Sequence, residues 1–118
     1  MDRTIKQKGI YIVDFEGAKG SEQKGTRIGL CVQNSVGNNF SPTTWIIPIT
    51  SRIKKNIPIH HVLYKDKYPF LEYGANTVLV EQLVTRDKCR LGNFVGEIDK
   101  YDFDIIINKI KYNLFTEK

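Results

Sequence analysis

Arg27, Thr50 and Glu22 carry the strongest chemical signal in the chain. A guanidinium fork matches two oxygens of a phosphate at once. A hydroxyl can donate a further hydrogen bond to the same group, and a nearby carboxylate can orient the guanidinium or take a proton. These residues lie in Lys19–Lys55, where six cations (Lys19, Lys24, Arg27, Arg52, Lys54, Lys55) face one anion, Glu22. Such a set points to a phosphodiester. Cleaving RNA without a metal needs a base for the 2′-hydroxyl, donors for the crowded phosphate and a proton for the departing oxygen. Arg27 and Thr50 suit the donor role. Glu22 and Glu81 compete for the base, and Glu22 is preferred because it shares Arg27's loop. No cluster of carboxylates and histidines has the spacing of a metal cage, so no metal and no cofactor is expected.

The elements that must position these groups can be read on either side of them. The loop Gly17–Gly25 holds three glycines, Gly17, Gly20 and Gly25, and can turn sharply. Strand-like apolar runs follow at Arg27–Gln33 and Thr43–Ile49, with Asn34–Pro42 read as a loop between them. If the two runs pair, the start of one lies beside the end of the other, and Arg27 and Thr50 share one end of a sheet. Pro48 cannot donate to a ladder, which places it at an edge or strand end. Gly9–Phe15 reads as the first strand, His60–Leu63 and Thr77–Leu83 as the fourth and fifth, and Cys89–Val95 as a sixth strand or a turn. Ser51–Asn56 is a basic connector, and Tyr64–Asn76 a polar and aromatic loop. The period then changes: Phe103, Ile106, Ile107, Ile110 and Leu114 form a helical stripe, with Asp99 at its amino end as cap. Short strands followed by one helix imply a mainly β fold, a small bent sheet or barrel covered by a C-terminal helix.

The 118 residues predict one domain spanning 1–118, with 26% charged and 41% hydrophobic residues, the balance of a globular protein. A net charge of +5 and a pI near 9.2 favour an anionic partner. Cys31 and Cys89 stand alone in their segments, in neither a metal pattern nor a disulfide framework. No basic-then-apolar leader opens the sequence and no apolar run is long enough to span a bilayer, so no membrane is expected and the cytoplasm is the expected compartment.

The segments IYIVDF, KGSEQKGTR, VQNSVGN-NFSPTT, PITS, the His61–Val62 pair and VEQLVTRDKCRLG, covering roughly residues 9–96 in order, resemble the MazF/PemK family of toxin ribonucleases from bacterial toxin–antitoxin pairs. The resemblance implies an SH3-like barrel and a homodimer. It implies a metal-independent endoribonuclease (an mRNA interferase) that cuts single-stranded RNA at short sequences and arrests growth. It also implies a cognate MazE-like antitoxin whose tail occupies the RNA groove, and DNA binding together with that antitoxin. Carried over by position, Arg27 and Thr50 match the family's catalytic pair, Glu22 its loop glutamate, and Glu81 a carboxylate proposed as base in some members. Asn34, Ser51, Gln82 and the connector residues Arg52, Lys54 and Lys55 match positions lining the RNA groove. Arg86, in a second basic cluster, is placed with them. Ile10, Ile28–Gly29 and Val84 depart from the family pattern and bear on sequence preference and antitoxin fit.

Plainer readings stand beside these. A non-catalytic toxin of the same barrel, similar to the gyrase-binding CcdB, or an inactive nucleic-acid-binding relative would keep the basic patches without turnover. His60 and His61 point to opposite faces of a strand and do not form a joint site. Cys31 reads as a buried thiol. Trp45 reads as core rather than as a base-stacking residue, whereas Phe40, in a loop, could equally meet RNA. Glu81 could be the buried partner of a cation such as Arg86.

Overall fold

A computed structural model describes residues 4–52 and 57–115. Seven strands form one antiparallel sheet: β1 (Gly9–Asp14), β2 (Thr26–Cys31), β3 (Thr43–Thr50), β4 (His61–Tyr64), β5 (Ala75–Val78), β6 (Val84–Asp87) and β7 (Leu91–Glu97). The order β4-β5-β3-β2-β1-β7 makes β2 and β3 the middle of the sheet. The far side of β3 is shared, with β6 pairing its first half and β5 its last two residues. The register of β1 against β7 shifts on both sides of Tyr11, and such irregularities bend a strand and help the sheet curl. A C-terminal helix, α2 (Lys100–Phe115), covers one side.

Neighbouring residues of the central strands bury into different cores, as a period of two requires when both faces of a sheet are covered. Leu30 and Ile47 pack in the cluster that includes Phe103 and Ile106 of α2. Their neighbours Cys31 and Ile46 pack with Tyr11, Val13 and Phe15 in a second cluster. The unbroken apolar run IIPI, Ile46–Ile49, follows from this double burial. Ile10, one of the departures from the family pattern, is fully buried in the first cluster. Gly29, another, is imposed by packing: a Cβ there would stand 2.6 Å from Ile46 Cγ2 and 3.2 Å from Val13 Cγ2.

Several expectations are corrected. Pro48 is buried inside a central strand rather than at an edge. Its carbonyl accepts from Leu79 N, so its nitrogen faces the same side, where β3 passes from β5 to β6, and the missing N–H leaves no gap in the β2 ladder. Asn34–Pro42 contains a short helix, α1 (Ser35–Phe40), where a loop was expected. Asn34 caps it by accepting from Gly37 N. The buried Asn38 anchors it, donating to Ile5 O and Gln33 O and accepting from the Thr44 hydroxyl. Tertiary bonds outweigh the poor helix propensity of Gly and Asn here. The expected fifth strand, Thr77–Leu83, stops early: β5 takes only its first two residues, a 3₁₀ turn follows at Val80–Gln82, and β6, beyond it, was not expected as a strand.

Trp45 is 49% exposed rather than core, because Thr44 and Ile46 on either side of it point inward. Cys31 is the expected buried thiol. The helical stripe packs on the core through Phe103 and Ile106, which are buried, and Ile107 and Ile110, which are partly buried, while Leu114 is exposed. Asp99 caps α2 as expected, accepting from Asp102 N at 3.0 Å.

Candidate functional site

Ile28 lies opposite Ile49 in the β2–β3 pairing. Continuing that register by one step would set Arg27 opposite Thr50, on the same face of the two strands. Both line a cleft of about 420 Å³ together with Ser51 and Arg52. Thr50 is almost buried, and its Oγ1 accepts from Arg52 N at 3.1 Å while keeping its own hydrogen to donate. Arg27 Nε donates to Lys24 O at 3.0 Å, which fixes the guanidinium against the glycine loop and leaves the terminal nitrogens of the fork for an anion.

The two candidate bases lie elsewhere. Glu22 and Glu81 line a neighbouring concavity of about 180 Å³ with Gln82 and Arg86. Glu22 does not orient Arg27; its Oε1 accepts from Lys19 N at 2.7 Å, a bond inside its own loop. Glu81 pairs with His60 (Nε2–Oε2 3.0 Å) and not with Arg86, because it projects from a turn and not from the end of a strand. Arg86 sits 5.9 Å from the ring centroid of Phe15 and donates to Thr85 O. His61 takes a different partner, Asp102 of α2, at 2.8 Å.

Of the remaining expected RNA contacts, Ser51 and Arg52 line the Arg27–Thr50 cleft, and Phe40 is 85% exposed at the end of α1. Asn34 is exposed, with its side-chain oxygen engaged as a helix cap. Gln82 turns its amide towards the glycine loop. Lys54 and Lys55 fall outside the described residues.

The same cleft contains Phe70, Glu72 and Tyr73, which sequence reasoning missed. They belong to the segment after β4, which is tied down by Lys65 N to Gly74 O, Lys65 Nζ to Leu71 O and Asn76 Nδ2 to Tyr73 O. Phe70 lies over Gly96, its ring in the space a side chain would take. The aromatic content of Tyr64–Asn76 was the available signal, but nothing in the sequence says that this segment folds back over Arg27. Among the described residues, no group of three or more His, Cys, Asp or Glu is placed to hold a metal ion.

The model of a family described as PemK-like, MazF-like toxin of type II toxin-antitoxin system matches residues 6–114. The chain belongs to this family. The endoribonuclease EndoA of Bacillus subtilis (strain 168) is 33% identical over 111 residues, 93% of this chain and 94% of the relative. The fold of this MazF-like toxin is that of MazF from Deinococcus radiodurans, with a TM-score of 0.82 at 21% identity over 98% of this chain and 100% of the other. An endoribonuclease bound to its cognate antitoxin, from a mycobacterial species, matches with a TM-score of 0.72 at 16% identity over 98% and 97% of the two chains. At such identities these structures speak for the fold.

Proposed function

We propose that this MazF-like toxin is a metal-independent endoribonuclease of a toxin–antitoxin pair that cleaves single-stranded RNA. The observation that carries the reading is that Arg27 and Thr50, on adjacent central strands, line one cleft. That the relative EndoA is an endoribonuclease supports it. Two fixed donors facing one anion site are the arrangement that stabilises charge as it develops on a phosphate. The substrate's own 2′-oxygen attacks phosphorus, the bond to the 5′-oxygen breaks, and the 2′-hydroxyl proton passes to a base while the leaving oxygen is protonated. The base is Glu22 or Glu81, both beside the phosphate cleft in the second concavity, with Glu22 preferred because it shares Arg27's loop. Ser51, Arg52, Lys54, Lys55 and Arg86 hold the RNA backbone, with Asn34 and Phe40 at the margin. Tyr73 and Phe70 offer faces on which a base can stack.

A MazE-like antitoxin would occupy this groove, and a homodimer in the cytoplasm is the functional form. The apolar side chains left uncovered on the last turns of α2, Leu114 and Phe115, support a partner surface. The decisive experiment incubates the purified protein with a mixed RNA in EDTA and maps the ends. Cleavage leaving 2′,3′-cyclic or 3′-phosphate and 5′-hydroxyl ends is expected, with no cutting of DNA. Cleavage that needs Mg²⁺, products with 5′-phosphates, or no cleavage at all would overturn the reading.

A further inference from the structure

The loop between β1 and β2 has little intrinsic rigidity. Gly17, Gly20 and Gly25 all take positive φ, of 93°, 61° and 75°. Yet this loop carries Glu22, and its descending limb supplies Lys24 O, the carbonyl against which Arg27 is set. Its base is tied by Phe15 N to Gly25 O, and by Arg90 Nη1 to Glu16 O. Its tip is held from across the fold. Gln82 Oε1 accepts from Gln23 N at 2.9 Å, and Gln82 Nε2 reaches Ser21 O at 3.4 Å. The two bonds bracket Glu22 from either side.

A glutamine is suited to this task because one side chain offers an acceptor and a donor together, matching a backbone N–H and a backbone carbonyl two residues apart. It is also held in place. Gln82 ends the 3₁₀ turn Val80–Gln82, its own N–H bonded to Leu79 O and Val80 buried beneath it. Gln82 lines the Glu22–Glu81 concavity and not the Arg27–Thr50 cleft, so it reaches the phosphate site only through the loop.

We infer that Gln82 is a positioning residue, a clamp that fixes the Ser21–Gln23 tip and thereby sets Glu22 and Arg27 in register for cleavage. The inference rests on the ribonuclease reading above and replaces an RNA contact with an internal one for this side chain. It predicts that losing the clamp lowers turnover more than RNA affinity, since misplacement of a catalytic group by about 1 Å can lower the rate by roughly 10²-fold.

The test uses the full-length protein with Gln82→Met, which keeps the volume and loses both bonds, and Gln82→Glu, which keeps the acceptor. Hydrogen exchange of the Gln23 amide is followed without RNA, and kcat and KM are measured on one cleavable oligonucleotide. Gln82→Met should speed Gln23 exchange at least tenfold and lower kcat about 10- to 100-fold with KM nearly unchanged. Gln82→Glu should restore most of the Gln23 protection. Unchanged Gln23 exchange in Gln82→Met, or a rise in KM with kcat intact, would overturn the clamp. Wild-type protein that cuts no RNA would instead overturn the ribonuclease reading and with it the claim on turnover, while the exchange result would still decide whether the tip is clamped.

Discussion

At the scale of single residues, the division of labour is spatial. Arg27 and Thr50 face one cleft while Glu22 and Glu81 face the next. If the pair stabilises the phosphate in the transition state, Arg27→Ala and Thr50→Ala should each lower kcat by roughly 10²-fold or more, with a much smaller effect on RNA binding. Arg27→Lys should fail nearly as badly, because a point charge cannot bond bidentately and cannot replace the Nε–H bond to Lys24 O. Single-turnover cleavage beside a binding titration checks this, and near-wild-type cutting by Arg27→Ala would remove the assignment. Tyr73→Ala should do the opposite, raising KM by about 5- to 150-fold, equivalent to the roughly 1–3 kcal/mol of one base–aromatic stack, and sparing kcat.

At the scale of elements, α2 is locked to the sheet by one nearly buried carboxylate. Asp102 accepts from Tyr68 Oη at 2.5 Å and His61 Nε2 at 2.8 Å, and Lys67 Nζ bridges it to Asp99, 2.8 Å from each. Burial pushes the Asp102 carboxyl up, but the bonds from Lys67, Tyr68 and His61 outweigh it and the net shift is downward. The backbone N–H of Asp102, then Lys67, hold Asp99 down to about 2. A carboxylate depressed in the folded state stabilises fully above its unfolded value, about 4, and loses that contribution as pH falls through its folded value. Burial first, then the bond to Asp102, raises the Tyr68 phenol. Lys67 is raised chiefly by its bond to Asp102. The contribution of this second pair is complete below their ordinary values near about 10 and fades as pH climbs towards the raised ones. Thermal melts should therefore show Tm falling between about pH 4 and pH 2. Asp102→Asn should be less stable at neutral pH, by about 1–3 kcal/mol, and less sensitive across that acid window. An unchanged acid slope in that variant would mean that the network is not the source.

At the scale of the whole molecule, shape and charge set the partners. Among the described residues, α2 packs on the core as far as Ile110, and Tyr112, Leu114 and Phe115 are exposed beyond it. Light scattering at micromolar concentration should give twice the 13.6 kDa of one chain, and a monomer would remove the proposed dimer. The net charge of +5 is concentrated partly in the connector after Thr50. Neutralising Arg52, Lys54 and Lys55 together should weaken binding to all RNA sequences and flatten the dependence of log K on log salt by about 2, since fewer counterions are released from the single strand. An unchanged slope would make the connector an ordinary solvated face.

What the sequence determined by itself was local and periodic. Apolar runs marked the strands, the change of period marked α2 with Asp99 as its cap, and the spacing of Arg27 and Thr50 around two pairing strands foretold their meeting. Motif order carried the family. What only the tertiary structure decided was everything fixed by contacts distant along the chain. Asn38 makes a helix of a stretch rich in loop formers because a buried network across three segments satisfies its amide. Pro48 sits in a central strand because its neighbours change at that residue. Glu81 turns to His60, Gln82 reaches back 59 residues to Gln23, and Tyr73 folds over Arg27's cleft, although no local pattern encodes these directions. Local sequence sets backbone preference and burial, whereas the aim of a polar side chain depends on which distant partner the closed fold brings within hydrogen-bond reach.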